Sequence, residues 1–220
     1  MRALSRLRKG LIRRAHYALF DRRFDRSLGV DTHDVGFPNR LWHSGNYRYV
    51  SSPVLAFHWA MSTIGIDPAR FVFVDLGSGK GRTLLIASRL PFLRIEGVEY
   101  AEDLHRSALL NIKSHAARVV APIMVHHMDA AEYPIPPEPC VFYLFNPFGE
   151  SVLARVLENV ERSWRAAVRP IFFVYMNPTK KSVFAVARFL QPLRRSTLVR
   201  ALDWATFPHD VAFYRTPVGP

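Results

Sequence analysis

Residues 71–82 read Phe71-Val72-Phe73-Val74-Asp75-Leu76-Gly77-Ser78-Gly79-Lys80-Gly81-Arg82, an apolar run that ends on an acid and passes directly into three alternate glycines. Glycine admits the backbone conformations of a tight turn and lets a ligand approach the main chain, and a helix that starts at once presents free N–H groups. A second acid, Glu99, lies 22 positions beyond Gly77 in Gly97-Val98-Glu99. At the end of a following strand such a carboxylate can accept both hydroxyls of a ribose. Spacing excludes other glycine-rich loops. A Walker-type phosphate loop needs glycine at 74 and Ser or Thr at 81, where Val74 and Gly81 stand. A dinucleotide fingerprint needs its third glycine at 82, and a nucleophile elbow needs serine at 79; the chain has Arg82 and Gly79.

Other residues could do chemistry at the ends of later apolar runs. Asp129 follows the third, and reads either as a ligand-facing acid or as the cap of Ala130 and Ala131. Asn146-Pro147-Phe148 ends the fourth, and the proline is expected to hold Asn146 extended, with its side chain and carbonyl projecting from the strand. Asn177-Pro178 repeats the pairing after the fifth run and reads as structural. Tyr47, Tyr49 and Phe148 could wall a developing cation, or simply pack at the rim. Lys80 and Arg82 are either solvated or face an acidic substrate. The nine histidines show no metal-ligand spacing, and Cys140, at the start of an apolar run, reads as a small core residue.

These residues need a scaffold that gathers strand ends. Apolar runs at 71–74, 94–98, 119–126, 140–145 and 171–176 alternate with helical patterns at 81–90, 101–117 and 150–165, and a further helical pattern covers 54–64. Alternation of this kind predicts right-handed crossovers and a parallel sheet covered on both faces. Two last runs, 196–201 and 211–214, have no long helix between them and are expected to pair as an antiparallel edge hairpin. The expected fold is therefore α/β: a Rossmann-like, doubly wound, mostly parallel seven-stranded sheet with an antiparallel edge.

In 220 residues, 49% of them hydrophobic, there is material for one large core and no room for two comfortable domains. A single cysteine excludes a disulfide-stapled secreted scaffold and suits a reducing, cytoplasmic compartment. No apolar run approaches the roughly 20 residues of a membrane helix. The net charge of +12 is uneven, since residues 1–26 hold nine basic and two acidic side chains, a net +7. Leu4, Leu7, Leu11, Ile12, Ala15, Ala18 and Leu19 recur there at helical steps. The segment reads as a helix packed on the domain, as an arm for nucleic acid or an anionic membrane surface, or as an arginine-rich transit peptide. Residues 1–52 are expected to form this arm and an aromatic lid, and 53–220 the main domain. Because every motif lies beyond position 70, loss of the arm is expected to spare the ligand loop.

With Asp75 to Arg82, Glu99, Asp129 and Asn146-Pro147-Phe148 in this order, the chain resembles the class I S-adenosylmethionine-dependent methyltransferases. Asp-Leu-Gly-Ser-Gly-Lys-Gly-Arg preceded by Tyr49-Val50-Ser51-Ser52 is similar to the branch of Dot1-like and ATP-synthase c-subunit lysine methyltransferases. The resemblance implies S-adenosyl-L-methionine as cofactor, held by Asp75, Gly77, Ser78, Gly79 and Gly81 along the methionine part, Glu99 at the ribose and Asp129 near the adenine. It implies catalytic positions at Asn146, Pro147, Phe148 and Tyr49, and a protein amine, lysine, as methyl acceptor. A nucleic-acid or small-molecule methyltransferase, and a non-catalytic scaffold that keeps the fold, are the alternatives.

Overall fold

The computed structural model describes residues 10–12, 14–33, 49–115, 119–194 and 210–217. Five parallel strands form the body of a sheet: β1 (Val72–Leu76), β2 (Arg94–Glu99), β3 (Ile123–His127), β4 (Cys140–Leu144) and β5 (Ile171–Met176). The two-residue β6 (Gln191–Pro192) and β7 (Val211–Arg215) complete it in the order β3-β2-β1-β4-β5-β7-β6. β7 runs antiparallel to both β5 and β6. The edge is antiparallel as expected, but β6 is formed at 191–192, and the run at 196–201 lies outside the described residues.

Period-two alternation explains why the sheet is covered on both sides. From β1 and β4, Phe73, Val141 and Tyr143 enter one core, whereas Val72, Val74, Leu76, Cys140, Phe142 and Leu144 enter the other. The first core is roofed by helices α2 (Val54–Ile64) and α3 (Arg82–Ala87), with Phe57 edge-on to Phe73 at 5.6 Å between ring centres. The second is roofed by α5 (Glu150–Ala166), whose Leu153, Val156, Leu157 and Val160 fall on one helical face. Stacked Phe142 and Phe173, 5.1 Å apart, lie beneath it. Further helices among the described residues are α1 (Arg22–Leu28), α4 (Glu102–His115) and the short α6 (Lys181–Val186). Cys140 is fully buried in the second core, and burial pushes its thiol up to about 12, which makes it inert as a nucleophile.

β1 and β4 are neighbours although α3, β2, α4 and β3 separate them in sequence. Strand order thus reverses beside β1, and the carboxyl ends of β1, β2 and β4 open on one crevice. Of the three readings of the N-terminal segment, its C-terminal part follows the first, a helix packed on the domain. Phe24 and Leu28 of α1 are buried in the first core with α2, so the C-terminal part of the arm is built into the domain.

Candidate cofactor site

Asp75 is the fourth residue of β1, between Gly97 of β2 and Tyr143 of β4 in the register. It is 3% exposed. Burial pushes its carboxyl up to about 8, Glu99 adds to the rise, and a hydrogen bond from the Thr83 side chain opposes it. The sign of the linkage follows. Between the unfolded value near about 3.9 and the folded value, the native chain holds a proton that the unfolded chain has lost, so stability falls as pH rises through that window and levels off above it. Asp75→Asn removes the ionisation and keeps the shape. Unfolding free energies from urea titrations at pH 6, 7 and 8 are expected to fall more steeply for the native chain than for Asp75→Asn, by roughly 1 kcal/mol per pH unit. Parallel profiles would rule out a protonated Asp75.

Gly77, Gly79 and Gly81 all lie in the left-handed region, with φ of 83°, 54° and 82°. For two of them space is as restrictive as backbone. A Cβ on Gly77 would stand 2.4 Å from the Cβ of Pro147, and one on Gly79 would stand 2.1 Å from the ring of Tyr49. The loop is thus closed by Pro147 on one side and Tyr49 on the other. Ser78 is buried, and its hydroxyl finds no hydrogen-bond partner among the described residues. Underneath, Gly97 has to lack a side chain because Leu84 and Ser78 occupy the place of its Cβ.

Glu99 ends β2 and is 8% exposed. Its Oε2 accepts from the Gly79 N–H and its Oε1 from the Ala101 N–H, each at 2.8 Å. Burial raises its pKa, and these amides work against the rise. The carboxylate therefore shapes the loop, and each oxygen has a second lone pair beyond the one it gives to Gly79 or Ala101. The left-handed loop, the buried Ser78 hydroxyl and the Glu99 carboxylate at the end of β2 fit a ribose-bearing cofactor.

Among the remaining candidates, Asn146 is the one held differently from expectation. Asp129 caps a short turn, its Oδ1 accepting from the Ala131 N–H at 2.9 Å while Oδ2 faces Arg155 at 3.5 Å. Asn146 is not extended; its φ is 48°, and Asn177 before Pro178 has 49°. The preference imposed by the following proline is outweighed by three donors that converge on Asn146 Oδ1: Thr179 Oγ1 at 2.7 Å, Tyr175 OH at 3.0 Å and Lys180 Nζ at 3.1 Å. A lysine ammonium can only donate, so the oxygen of this amide is assigned to that side. Phe148 packs on the second core beside Pro147. Tyr49, 17 residues beyond Thr32, donates its hydroxyl to the Thr32 carbonyl at 2.8 Å, and its ring covers Gly79. Tyr47 lies outside the described residues.

Lys80 and Arg82 are neither solvated nor directed at a substrate. Arg82 is 1% exposed; its Nε donates to Thr32 Oγ1 at 2.7 Å, Nη2 to Asp25 Oδ2 at 2.8 Å, and Nη1 faces Asp21 Oδ2 at 3.8 Å. Asp21 also accepts from the Val54 N–H at the start of α2. Lys80 Nζ donates to Asp31 Oδ2 at 3.0 Å and to the His33 carbonyl. Asn111 of α4 completes the arrangement, bridging the carbonyls of Asp31 and Lys80 through its Nδ2. The N-terminal segment therefore clamps the glycine loop from behind. The sequence carries a signal for it: Asp21 and Asp25, the only acids in residues 1–26, share the inward helical face with Phe24 and Leu28.

No family model and no curated protein sequence matches the chain, whereas solved structures do. A S-adenosylmethionine-dependent methyltransferase from Aquifex aeolicus is similar at 12% identity and a TM-score of 0.55, over 74% of this chain and 89% of that one. The 23S rRNA methyltransferase ErmE is similar at 12% identity and 0.51, over 76% and 69%. The cyclase SpnF is similar at 13% identity and 0.54, over 92% and 94%. At such identities the likeness concerns architecture, and SpnF shows that this architecture is not tied to one reaction. Sheet order, reversal beside β1 and the glycine loop together give this chain the fold of the class I S-adenosylmethionine-dependent methyltransferases.

Proposed function

We propose that the chain is a S-adenosylmethionine-dependent N-methyltransferase whose acceptor is a protein amine, lysine, as in the Dot1-like and ATP-synthase c-subunit branch it resembles. One observation carries the reading. Asn146-Pro147 at the end of β4 lies against Gly77 at the end of β1, so the element that would orient an acceptor adjoins the loop that would hold the cofactor. Asp75 and residues 77–81 would hold the amino-acid end, Glu99 the ribose and Asp129 the adenine side. The cofactor supplies a methyl group on an already activated sulfonium. What remains for the chain is to place a neutral amine in line and to exclude water. Pro147, Phe148 and Tyr49 narrow the crevice around the glycines and suit that task.

Asn146 would set the acceptor's direction through its amide NH2 or main-chain carbonyl, since Oδ1 is committed to Thr179, Tyr175 and Lys180. Asn146→Ala would remove the acceptor shared by Thr179, Tyr175 and Lys180 and lower stability, so Asn146→Asp is the better probe. It keeps the acceptor for the three donors, tolerates the left-handed backbone and deletes the NH2 group. With a cell-extract proteome and isotopically labelled S-adenosylmethionine, the native chain is expected to label lysine in a small set of proteins. Asn146→Asp is expected to bind the cofactor normally and lose about tenfold to a hundredfold in turnover. Label found on RNA, the reading that the basic charge of the chain favours second, would overturn the protein-amine assignment. Absence of any cofactor binding would overturn the enzyme itself in favour of a scaffold.

A further inference from the structure

The clamp fixes more than the loop. Asp21 and Asp25 point inward to Arg82 and the Val54 amide, and Phe24 and Leu28 are buried, so the arm cannot roll about its axis. Its opposite side is thereby held toward solvent. There Leu11 is 58% exposed, Leu19 51% and Phe20 39%, with exposed Arg14, Arg22, Arg23 and Arg26 around them. Both acids of the segment are spent on the inside, which leaves the outward side purely basic, and Arg2, Arg6, Arg8, Lys9 and Arg13 extend the same charge in sequence. No described helix is long and apolar enough to cross a membrane.

We infer that the outer side of residues 10–26 is a docking surface for an anionic phospholipid bilayer, lying in its plane and not through it. Charge complementarity supplies the attraction, and the apolar side chains decide among anionic partners. A nucleic acid would engage the arginines and leave Leu11, Leu19 and Phe20 in water; a bilayer takes guanidinium groups at its phosphates and the apolar groups just below them. Docking through this side leaves the glycine loop, which faces the inner side of the clamp, free to exchange its ligand. The inference stands apart from the methyltransferase reading and is tested without activity.

The experiment is sedimentation of the full-length chain with vesicles of phosphatidylcholine containing about one-third phosphatidylglycerol, against vesicles of phosphatidylcholine alone. Binding is expected only to the anionic vesicles, weakening in high salt. The double variant Leu19→Glu/Phe20→Glu is expected to reduce it at least tenfold while leaving the melting temperature unchanged, because neither side chain is buried. Arg22→Glu/Arg23→Glu is expected to do the same. Equal binding to neutral vesicles, or no vesicle binding by the native chain, overturns the inference. So does salt-dependent binding of an RNA oligonucleotide that Leu19→Glu/Phe20→Glu leaves intact without vesicle binding. A native dimer that the same double variant turns into a monomer overturns it in favour of a second copy of the chain.

Discussion

Asp25→Ala, a change 52 residues before Gly77, is expected to destabilise the whole domain by about 3–5 kcal/mol, because it leaves the Arg82 guanidinium buried without its closest carboxylate. A surface ion pair would be worth a small fraction of that. Arg82 is 1% exposed, and what remains to it is the Thr32 hydroxyl on Nε and the more distant Asp21, 3.8 Å from Nη1. Removing residues 1–26 altogether takes away Asp21, Asp25 and Phe24 together and is expected to give an insoluble chain or one that no longer binds cofactor. This reverses what the positions of the motifs alone suggested. The double variant Asp25→Ala/Arg82→Met removes the guanidinium as well and leaves Asp21 with the Val54 N–H, and it is expected to recover about 2 kcal/mol relative to Asp25→Ala. Urea unfolding of the three chains checks it. An Asp25→Ala midpoint within experimental error of the native one would mean that the clamp contributes nothing.

Glu99→Ala is expected to cost S-adenosylmethionine affinity on the order of a hundredfold or more. Two losses combine. The ribose loses a charged acceptor, and the N–H groups of Gly79 and Ala101 lose their shared carboxylate, which frees the loop. Hydrogen bonds to charged groups contribute about 1.5–3 kcal/mol each, so losing two places the effect at about 3 kcal/mol or above. Glu99→Gln separates the two contributions. Its carbonyl can still take one backbone N–H, so it is expected to fold like the native chain and yet bind the cofactor more weakly. Calorimetric titration of both variants measures it; native affinity in folded Glu99→Ala would remove Glu99 from the site.

The strands and the acid–glycine–acid set were legible because their information is local. Period two in β1 and β4, and the step of three and four in α5, sit within a few residues. What was not legible is carried by pairs far apart in the chain. Arg82 and Asp25 are 57 residues apart, Lys80 and Asp31 49, Asn146 and Lys180 34. No periodicity reports such pairs, so Lys80 and Arg82 stood undecided, and Asn146 was assigned the extended backbone that its proline alone would favour. Asp129 could be read two ways from its neighbours, and only the Ala131 N–H shows that the cap is made. The short α6 carries a single buried residue, Phe184, too little for a helical pattern to stand out.

The arm contains one irregular turn with a consequence of its own. At 17–21 the helix widens, the Arg22 N–H reaching the carbonyl of Tyr17 five residues back instead of four. The extra residue offsets the helical phase by about 100° between the stretch before it and the stretch after it. A single regular wheel drawn through residues 10–26 therefore misplaces the first half against the second, and in the structure Leu11 and Leu19 both stand in solvent. The two halves can also be altered separately by length. Deleting one residue within 17–20 would leave the anchored half where it is and swing Leu11 and Arg14 about a quarter turn around the axis.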